Sequence, residues 1–172
     1  TFVPSGHFGR TDAEVLCFGS GGAAVATTVY LAHCPDAEDR PRRFTLVDIS
    51  PERLDHARNI HANLDTDIEF DYILSAESAV NDRLLRSLPA GSVVINGTGM
   101  GKDLPGSPIT DNAVFPQDGL VWEYNYRGEL DFLKQAGRQA ENCHLRVEDG
   151  WSYFLHGWTQ AIAEVFYVEL TS

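Results

Sequence analysis

Short apolar runs alternate with longer amphipathic runs along the whole chain. The short runs have the length and residue types of β-strands and predict six strands, at about 14–18, 44–48, 68–75, 92–96, 120–126 and 144–149. The longer runs repeat apolar residues at helical spacing and predict helices, at about 22–32, 51–60, 79–88, 130–136 and 151–168.

Local signals support several of these boundaries. Ser50 is a typical N-cap with Pro51 at the first helical position, and Pro89 ends the preceding helical run. Glycines and prolines between 97 and 119 exclude a long regular element there. Strands that alternate with helices imply βαβ crossovers, so the pattern predicts an α/β fold. We expect a doubly wound six-stranded parallel sheet of Rossmann type that uses the whole chain, 1–172, as a single domain.

Composition narrows the class of partner. The chain has 172 residues, 25 acidic against 13 basic, and a formal net charge of −12, which disfavours nucleic acids and anionic membranes as partners. Its apolar runs are too short to span a bilayer. Cys17, Cys34 and Cys143 are scattered and odd in number, so we expect neither a disulfide framework nor a metal site.

The start of the chain also carries an expectation. The first residue is Thr1, the only methionine is Met100, and the first ten residues hold no signal-peptide core. We therefore expect a cytoplasmic domain trimmed from a longer protein, with further sequence upstream. The sequence leaves a homodimer open.

The segment GSGGAA, residues 19–24, falls at the predicted turn between the first strand and the first long helix. It matches G-x-G-x-x-A through Gly19, Gly21 and Ala24. The first glycine permits the tight turn, the second lets the backbone approach a pyrophosphate, and the third small residue lets the helix pack on the strand. The pattern is also compatible with glycines that serve packing alone.

An acidic residue at the end of the second strand strengthens the dinucleotide hypothesis. Asp48 lies 29 positions after Gly19, and the insert HCPDAEDRPRR lengthens the intervening loop. A carboxylate there accepts hydrogen bonds from a ribose 2′-hydroxyl and repels a 2′-phosphate, which favours NAD over NADP. Arg53 nearby softens this preference, so NADP stays open as the cofactor.

The same region supports a rival class. LVDISPERLDHAR resembles the acidic motif with which S-adenosylmethionine-dependent methyltransferases hold a ribose. Those enzymes usually place an acidic residue two positions before the first glycine, where this chain has Cys17. Their fourth strand commonly ends in an acidic or Asn-Pro-Pro-type motif, where this chain has NGTGMG. Both departures weigh against the methyltransferase.

Later motifs, in the same order as in a known family, favour the dinucleotide. VVINGTGMGKDLPGSPI resembles the VINATPxGM segment of shikimate and quinate dehydrogenases, and LVWEYNYRGELDFLKQA is similar to their D-x-x-Y-x-P segment, with Glu123 and Tyr126 on the Asp and Tyr positions. EDGWSYFLHGWTQAIAEVF resembles their C-terminal helix. Together with GSGGAA, the similarity spans about residues 14–168.

This resemblance implies an NAD(P)-dependent oxidoreductase acting on a secondary alcohol of a polyhydroxy carboxylate. With the spacing argument above, the predicted cofactor-binding residues are Gly19, Ser20, Gly21, Gly22, Ala23, Asp48, Arg53, Thr98, Gly99, Met100, Gly150 and Phe154. Tyr126 is predicted to face the substrate. His156 is a candidate substrate contact, although a helix histidine satisfied by its neighbours is the simpler interpretation.

Departures from the family pattern concern the chemistry. The family's catalytic lysine and its aspartate partner come from an N-terminal domain, and neither segment is found here, so we expect no catalytic residue in this chain and no turnover by it alone. Gly157 falls where the family has a substrate-binding glutamine, and Gly128 replaces a proline, so the substrate pocket is expected to differ from that for shikimate. A non-catalytic dinucleotide-binding or regulatory module stays open as an alternative.

Overall fold

The computed structural model describes residues 2–166, without the side chains of 158, 160–162 and 164. Six parallel strands form one sheet in the order β3-β2-β1-β4-β5-β6. They are β1 Val15–Phe18, β2 Arg43–Asp48, β3 Glu69–Leu74, β4 Val93–Asn96, β5 Leu120–Glu123 and β6 Arg146–Glu148. This order reverses direction between β1 and β4, as in a doubly wound sheet, and confirms the predicted α/β fold.

Helices connect the strands and cover both faces of the sheet. They are α1 His7–Thr11, α2 Gly22–Ala32, α3 Pro51–His61, α4 Ser78–Arg86, α5 Asp131–Gln139 and α6 Trp151–Phe166, with a short 3-10 turn at Ala37–Asp39. No helix among the described residues is long and apolar enough to cross a membrane.

The core has two halves because alternate residues of each buried strand point to opposite faces. Val15 and Cys17 of β1 pack with buried residues of α2 and α3 on one face. Leu16 and Phe18 pack on the other face with buried residues of α4 and α5. The centre of the sheet is therefore buried on both sides, and its polar groups collect where the strands end.

Local sequence signals predicted the helix starts well, whereas strand ends depended on neighbours. The Ser50 hydroxyl accepts a hydrogen bond from the Arg53 amide at 3.2 Å, which confirms the predicted N-cap. β5 ends at Glu123 instead of reaching Tyr126, because β4 beside it ends at Asn96. Helix α1 was not predicted, since five residues are too few to show a helical period. The predicted end of α6 at 168 lies outside the described residues.

His61, the last residue of α3, is a buried imidazole bonded through both ring nitrogens. It is 5% exposed. Its Nε2 lies 2.7 Å from the Thr28 hydroxyl, its Nδ1 lies 2.7 Å from the Tyr72 hydroxyl, and its ring stacks on Phe70. Burial lowers the pKa of His61 to about 4, so the folded protein holds this ring neutral in mildly acidic solution.

We expect the buried His61 ring to make the protein acid-sensitive. In the unfolded chain the ring takes a proton near pH 6.5, so the stability it contributes is present above that pH and is lost as pH falls towards 4. The loss between pH 7.5 and 4.5 should be about 2.5 kcal/mol. Denaturant unfolding of wild type and His61→Phe at both pH values measures it. The variant should lose that much less stability on acidification, and equal losses in the two proteins would contradict the assignment.

Candidate functional site

The glycine turn follows β1 at the centre of the sheet and is locked against the end of β4. Gly19 has φ +93°, and its amide donates to the Val47 carbonyl at 2.6 Å. A Cβ on Gly19 would lie 2.7 Å from the carbonyl oxygen of Gly97. This position therefore excludes any side chain, for reasons of both conformation and space.

The next two glycines border open space instead. A Cβ on Gly21 or on Gly22 would meet no atom within 4 Å. Gly21 is the N-cap of α2 and provides no side chain to cap the first amides of the helix. Free amides and the positive end of the helix dipole favour an anion at such a terminus. The adjoining cleft of about 370 Å³ is lined by Ser20, Gly21, Gly22, Val25, Glu52, Arg53 and His56.

Asp48 ties this turn to the start of α3. Its Oδ2 accepts from the amide and the hydroxyl of Ser20 at 2.7 and 2.9 Å, and its Oδ1 accepts from the Ser50 amide at 2.9 Å. Asp48 is only 6% exposed. The predicted ribose ligand is thus first a structural acceptor that shapes the glycine turn. Since a carboxylate oxygen accepts two hydrogen bonds, Oδ1 retains capacity for one more donor.

The cation of the cleft is Arg53 on α3. Its side chain is exposed, and within the described part of the chain it makes no ion pair. His56, one turn further along, lines the same cleft. The sequence indicated no role for His56, because its spacing to His61 does not suit a shared metal, and its place in the cleft was not predicted. No group of three or more His, Cys, Asp or Glu side chains within residues 2–166 could hold a metal.

A second loop lies beside the glycine turn at the end of β4, and we call residues 97–104 the Thr98 loop. The amide and hydroxyl of Thr98 donate to Asn96 Oδ1 at 3.1 and 2.6 Å. The Met100 amide donates to the Thr98 hydroxyl at 3.1 Å. Gly97 donates its amide to the Phe18 carbonyl at 2.7 Å, which attaches the loop to the end of β1. The predicted residues Thr98, Gly99 and Met100 therefore lie next to the predicted pyrophosphate turn.

The start of α6 closes against the end of β5. A Cβ on Gly150 would lie 2.1 Å from the Tyr124 carbonyl oxygen, so only glycine fits. The Tyr126 ring stacks on Phe154 with centroids 4.1 Å apart. The half-exposed Trp151 ring has its centroid 5.9 Å from that of Phe154 and 6.3 Å from that of Tyr126. Trp151 was not predicted as part of the site. The structure thus brings Tyr126 and Phe154 together in one aromatic cluster.

Of the predicted site residues, His156 has the weakest connection to the rest of the candidate site. It lies on the exposed side of α6, and its backbone carbonyl accepts from the Thr159 hydroxyl at 2.9 Å. A Cβ on the neighbouring Gly157 would meet no atom within 4 Å. Nothing in the described contacts joins His156 to the aromatic cluster.

The most deeply buried ionisable group of the site is Glu123, with no exposed surface. It accepts from Asn96 Nδ2 at 2.6 Å and from the amide and Nδ2 of Asn125 at 2.9 and 2.7 Å. Burial raises the pKa of Glu123 to about 7, although these hydrogen bonds and the Lys102 charge oppose the shift. The sequence matched this residue to a family position but predicted no role for it in the site. The sequence feature that could have identified Glu123 as a site residue is a carboxylate inside the otherwise apolar run LVWEY.

A parallel sheet in this strand order, with a glycine turn after its first strand, defines a Rossmann-like α/β protein. Solved structures of similar fold include the 5-ketofructose reductase of Gluconobacter sp. strain CHM43, at TM-score 0.61 and 17% identity over 94% of this chain and 53% of that chain. Another is the shikimate 5-dehydrogenase from Listeria monocytogenes in complex with shikimate and NAD, at TM-score 0.62 and 14% identity over 98% of this chain and 59% of that chain.

A third similar structure is an Ael1 enzyme from Pseudomonas putida, at TM-score 0.60 and 18% identity over 94% of this chain and 52% of that chain. The chain thus spans just over half the length of these solved chains. No protein-family model and no curated protein sequence matches it. At these identities the similarity shows the fold, and it confirms that the fold is one found in shikimate dehydrogenases, as the motifs predicted.

Proposed function

We propose that the chain is the NAD(P)-binding domain of a shikimate-dehydrogenase-like oxidoreductase. The whole protein would transfer hydride between a nicotinamide cofactor and a secondary alcohol of a polyhydroxy carboxylate. The observation that carries the proposal is the cradle at the N-terminus of α2, where the missing side chains of Gly21 and Gly22 leave open space. Free amides line this space, and the Thr98 loop packs against Gly19 beside it, which suits a dinucleotide diphosphate.

Each part of the dinucleotide has a candidate partner. Residues 19–23 would hold the pyrophosphate. The remaining acceptor capacity of Asp48 Oδ1 suits a ribose hydroxyl, and Arg53 suits a phosphate oxygen. Residues 98–100 would hold the nicotinamide ring, which carries the hydride. The cluster of Tyr126 and Phe154 would border the ring and the substrate.

The proton that accompanies hydride transfer needs a base, and the family resemblance assigns that role to a lysine with an aspartate partner in an N-terminal domain. Glu123, the buried carboxylate of the site, has no exposed surface and cannot reach a substrate hydroxyl. A base must reach the substrate hydroxyl within hydrogen-bonding distance. We therefore propose that the catalytic lysine and aspartate implied by the family resemblance belong to a further domain, and that this domain binds cofactor without turnover.

Calorimetric titration with NAD, NADP and S-adenosylmethionine tests the proposed function. We expect NAD to bind, and more tightly than NADP, because Asp48 presents a carboxylate to the ribose. Saturable binding of S-adenosylmethionine in the absence of NAD binding would instead identify a methyltransferase.

We expect Arg53→Ala to weaken NADP binding by about tenfold and NAD binding much less, because a guanidinium pairs best with a phosphate monoester. Arg86→Ala is the matched control. Arg86 is an exposed arginine on α4, far from the glycine turn in sequence and on a different helix from Arg53. Titrations of the three proteins with both cofactors give the comparison. Equal weakening of NAD and NADP by Arg53→Ala would place the guanidinium on the shared pyrophosphate.

A further inference from the structure

The buried carboxylate of Glu123 supports the Thr98 loop from inside the protein. Glu123 at the end of β5 lies directly opposite Asn96 at the end of β4 in the strand register. From the other side, Asn125 donates its amide and its Nδ2 to Glu123 Oε1. The same Nδ2 lies 3.0 Å from the Thr98 carbonyl oxygen and 3.1 Å from that of Met100. Both asparagines that meet the carboxylate therefore also bind the loop.

The Glu123 contact also fixes which way the Asn96 amide faces. Asn96 Oδ1 accepts twice from Thr98, and Asn96 Nδ2 donates to Glu123 Oε2. A flipped amide would turn its oxygen towards an acceptor and its NH₂ towards two donors. The carboxylate therefore selects the orientation in which Thr98 is held, and the Thr98 hydroxyl in turn accepts from Met100.

We propose that Glu123 is the positioning residue of the nicotinamide half of the site: through Asn96 and Asn125 it holds the backbone of Thr98–Met100 in the shape that receives the ring. This inference rests on the proposed dinucleotide function. Glu123 has no exposed surface, so it acts through the two asparagines without touching cofactor or substrate. Among the hydrogen bonds of the described residues, none joins the glycine cradle proposed for the diphosphate to this network.

Two substitutions of Glu123 distinguish the role of its carboxylate oxygens from the role of its side-chain size. Gln has nearly the size of Glu but replaces one acceptor oxygen with an NH₂ donor, which would face Asn96 Nδ2 or the Asn125 amide. Asp keeps both acceptor oxygens on a side chain shorter by one methylene. Glu141→Gln makes the same substitution in the exposed turn between α5 and β6 and serves as the control.

The test compares NAD with ADP-ribose, which lacks only the nicotinamide. Calorimetric titration of wild type, Glu123→Gln, Glu123→Asp and Glu141→Gln gives both dissociation constants for each folded protein, and thermal melting confirms folding. We expect Glu123→Gln to raise the dissociation constant for NAD about tenfold and to leave that for ADP-ribose within about twofold. Glu123→Asp should recover part of the NAD affinity, and Glu141→Gln should match wild type for both ligands.

The other possible outcomes distinguish a failure of the proposed function from a failure of the positioning role of Glu123. Wild-type protein that binds neither NAD nor ADP-ribose would overturn the proposed function, and this inference with it. Wild-type protein that binds both, alongside a folded Glu123→Gln with unchanged NAD affinity, would overturn the positioning role alone. An equal loss of NAD and ADP-ribose affinity would also overturn it, because that is the result of a general structural defect. If Glu123→Gln does not fold, the same comparison made with Glu123→Asp decides.

Discussion

Gly21→Ala should leave the protein folded and raise the dissociation constant for NAD by about a hundredfold. The Gly21 backbone has φ −73° and ψ −177°, an extended conformation that alanine adopts without strain. The new methyl group would meet no protein atom within 4 Å, so the cost to folding should stay below about 1 kcal/mol. The methyl would instead occupy the space through which the pyrophosphate is proposed to approach the helix amides.

Gly19→Ala, two residues away in the chain, should have the opposite effect and destabilise the fold itself. At Gly19 the backbone has φ +93°, and the methyl would lie 2.7 Å from the Gly97 carbonyl oxygen. We expect a loss of about 3 kcal/mol or more in the free energy of unfolding, from backbone strain and overpacking combined. Chemical denaturation of both variants, with NAD titration of the folded one, gives the comparison. Tight NAD binding by Gly21→Ala would show that the cradle does not hold the diphosphate.

Gly128→Ala should destabilise the protein by about 3 kcal/mol or more, because Gly128 is pressed against the Thr98 loop. Its φ is +101°, and a Cβ there would lie 2.1 Å from the Gly101 carbonyl oxygen and 2.8 Å from the Lys102 Cα. The left-handed conformation alone costs alanine about 1 to 2 kcal/mol, and the backbone contact adds a comparable overpacking cost. The loop would have to move to admit the methyl group.

Gly137→Ala is the matched control for that prediction. Gly137 lies inside α5, and a Cβ there meets no atom within 4 Å. Because alanine favours a helix over glycine, this variant should be more stable than wild type by up to about 1 kcal/mol. Denaturant unfolding of the two variants and wild type measures both effects. A Gly128→Ala protein as stable as wild type would show that the approach to Gly101 is not tight in solution.

Features encoded by neighbouring residues could be predicted from the sequence, and features made by distant pairs could not. The glycine turn and the Ser50 cap depend on a few consecutive residues, and the succession of strands and helices follows from the alternating pattern. The contacts of Glu123 with Asn96 join residues 27 positions apart, so no local period reveals them. The Ser20 contact of Asp48 spans 28 positions and was hidden in the same way.

Gly128 has a structural role that the sequence comparison did not reveal. Its replacement of the family's proline predicted a different substrate pocket. In the structure, a positive φ and the contact with Gly101 already require glycine at this position. Proline, with φ fixed near −65°, could not adopt this backbone conformation. The packing of the two loops therefore explains glycine at position 128, and a different substrate pocket stays a prediction.

Asp48 fixes the glycine turn by hydrogen bonds that need no ligand. Its carboxylate bonds to Ser20 within the turn and to Ser50 at the start of α3, so both helix starts are joined within the protein itself. The chain therefore loses the conformational entropy of this segment during folding and not when a ligand arrives. If the turn holds a diphosphate as proposed, its preorganisation removes the cost of ordering this segment from the binding step, so more of the contact energy is realised as affinity. The carboxylate that is proposed to bind a ribose thus also helps to preorganise the glycine turn.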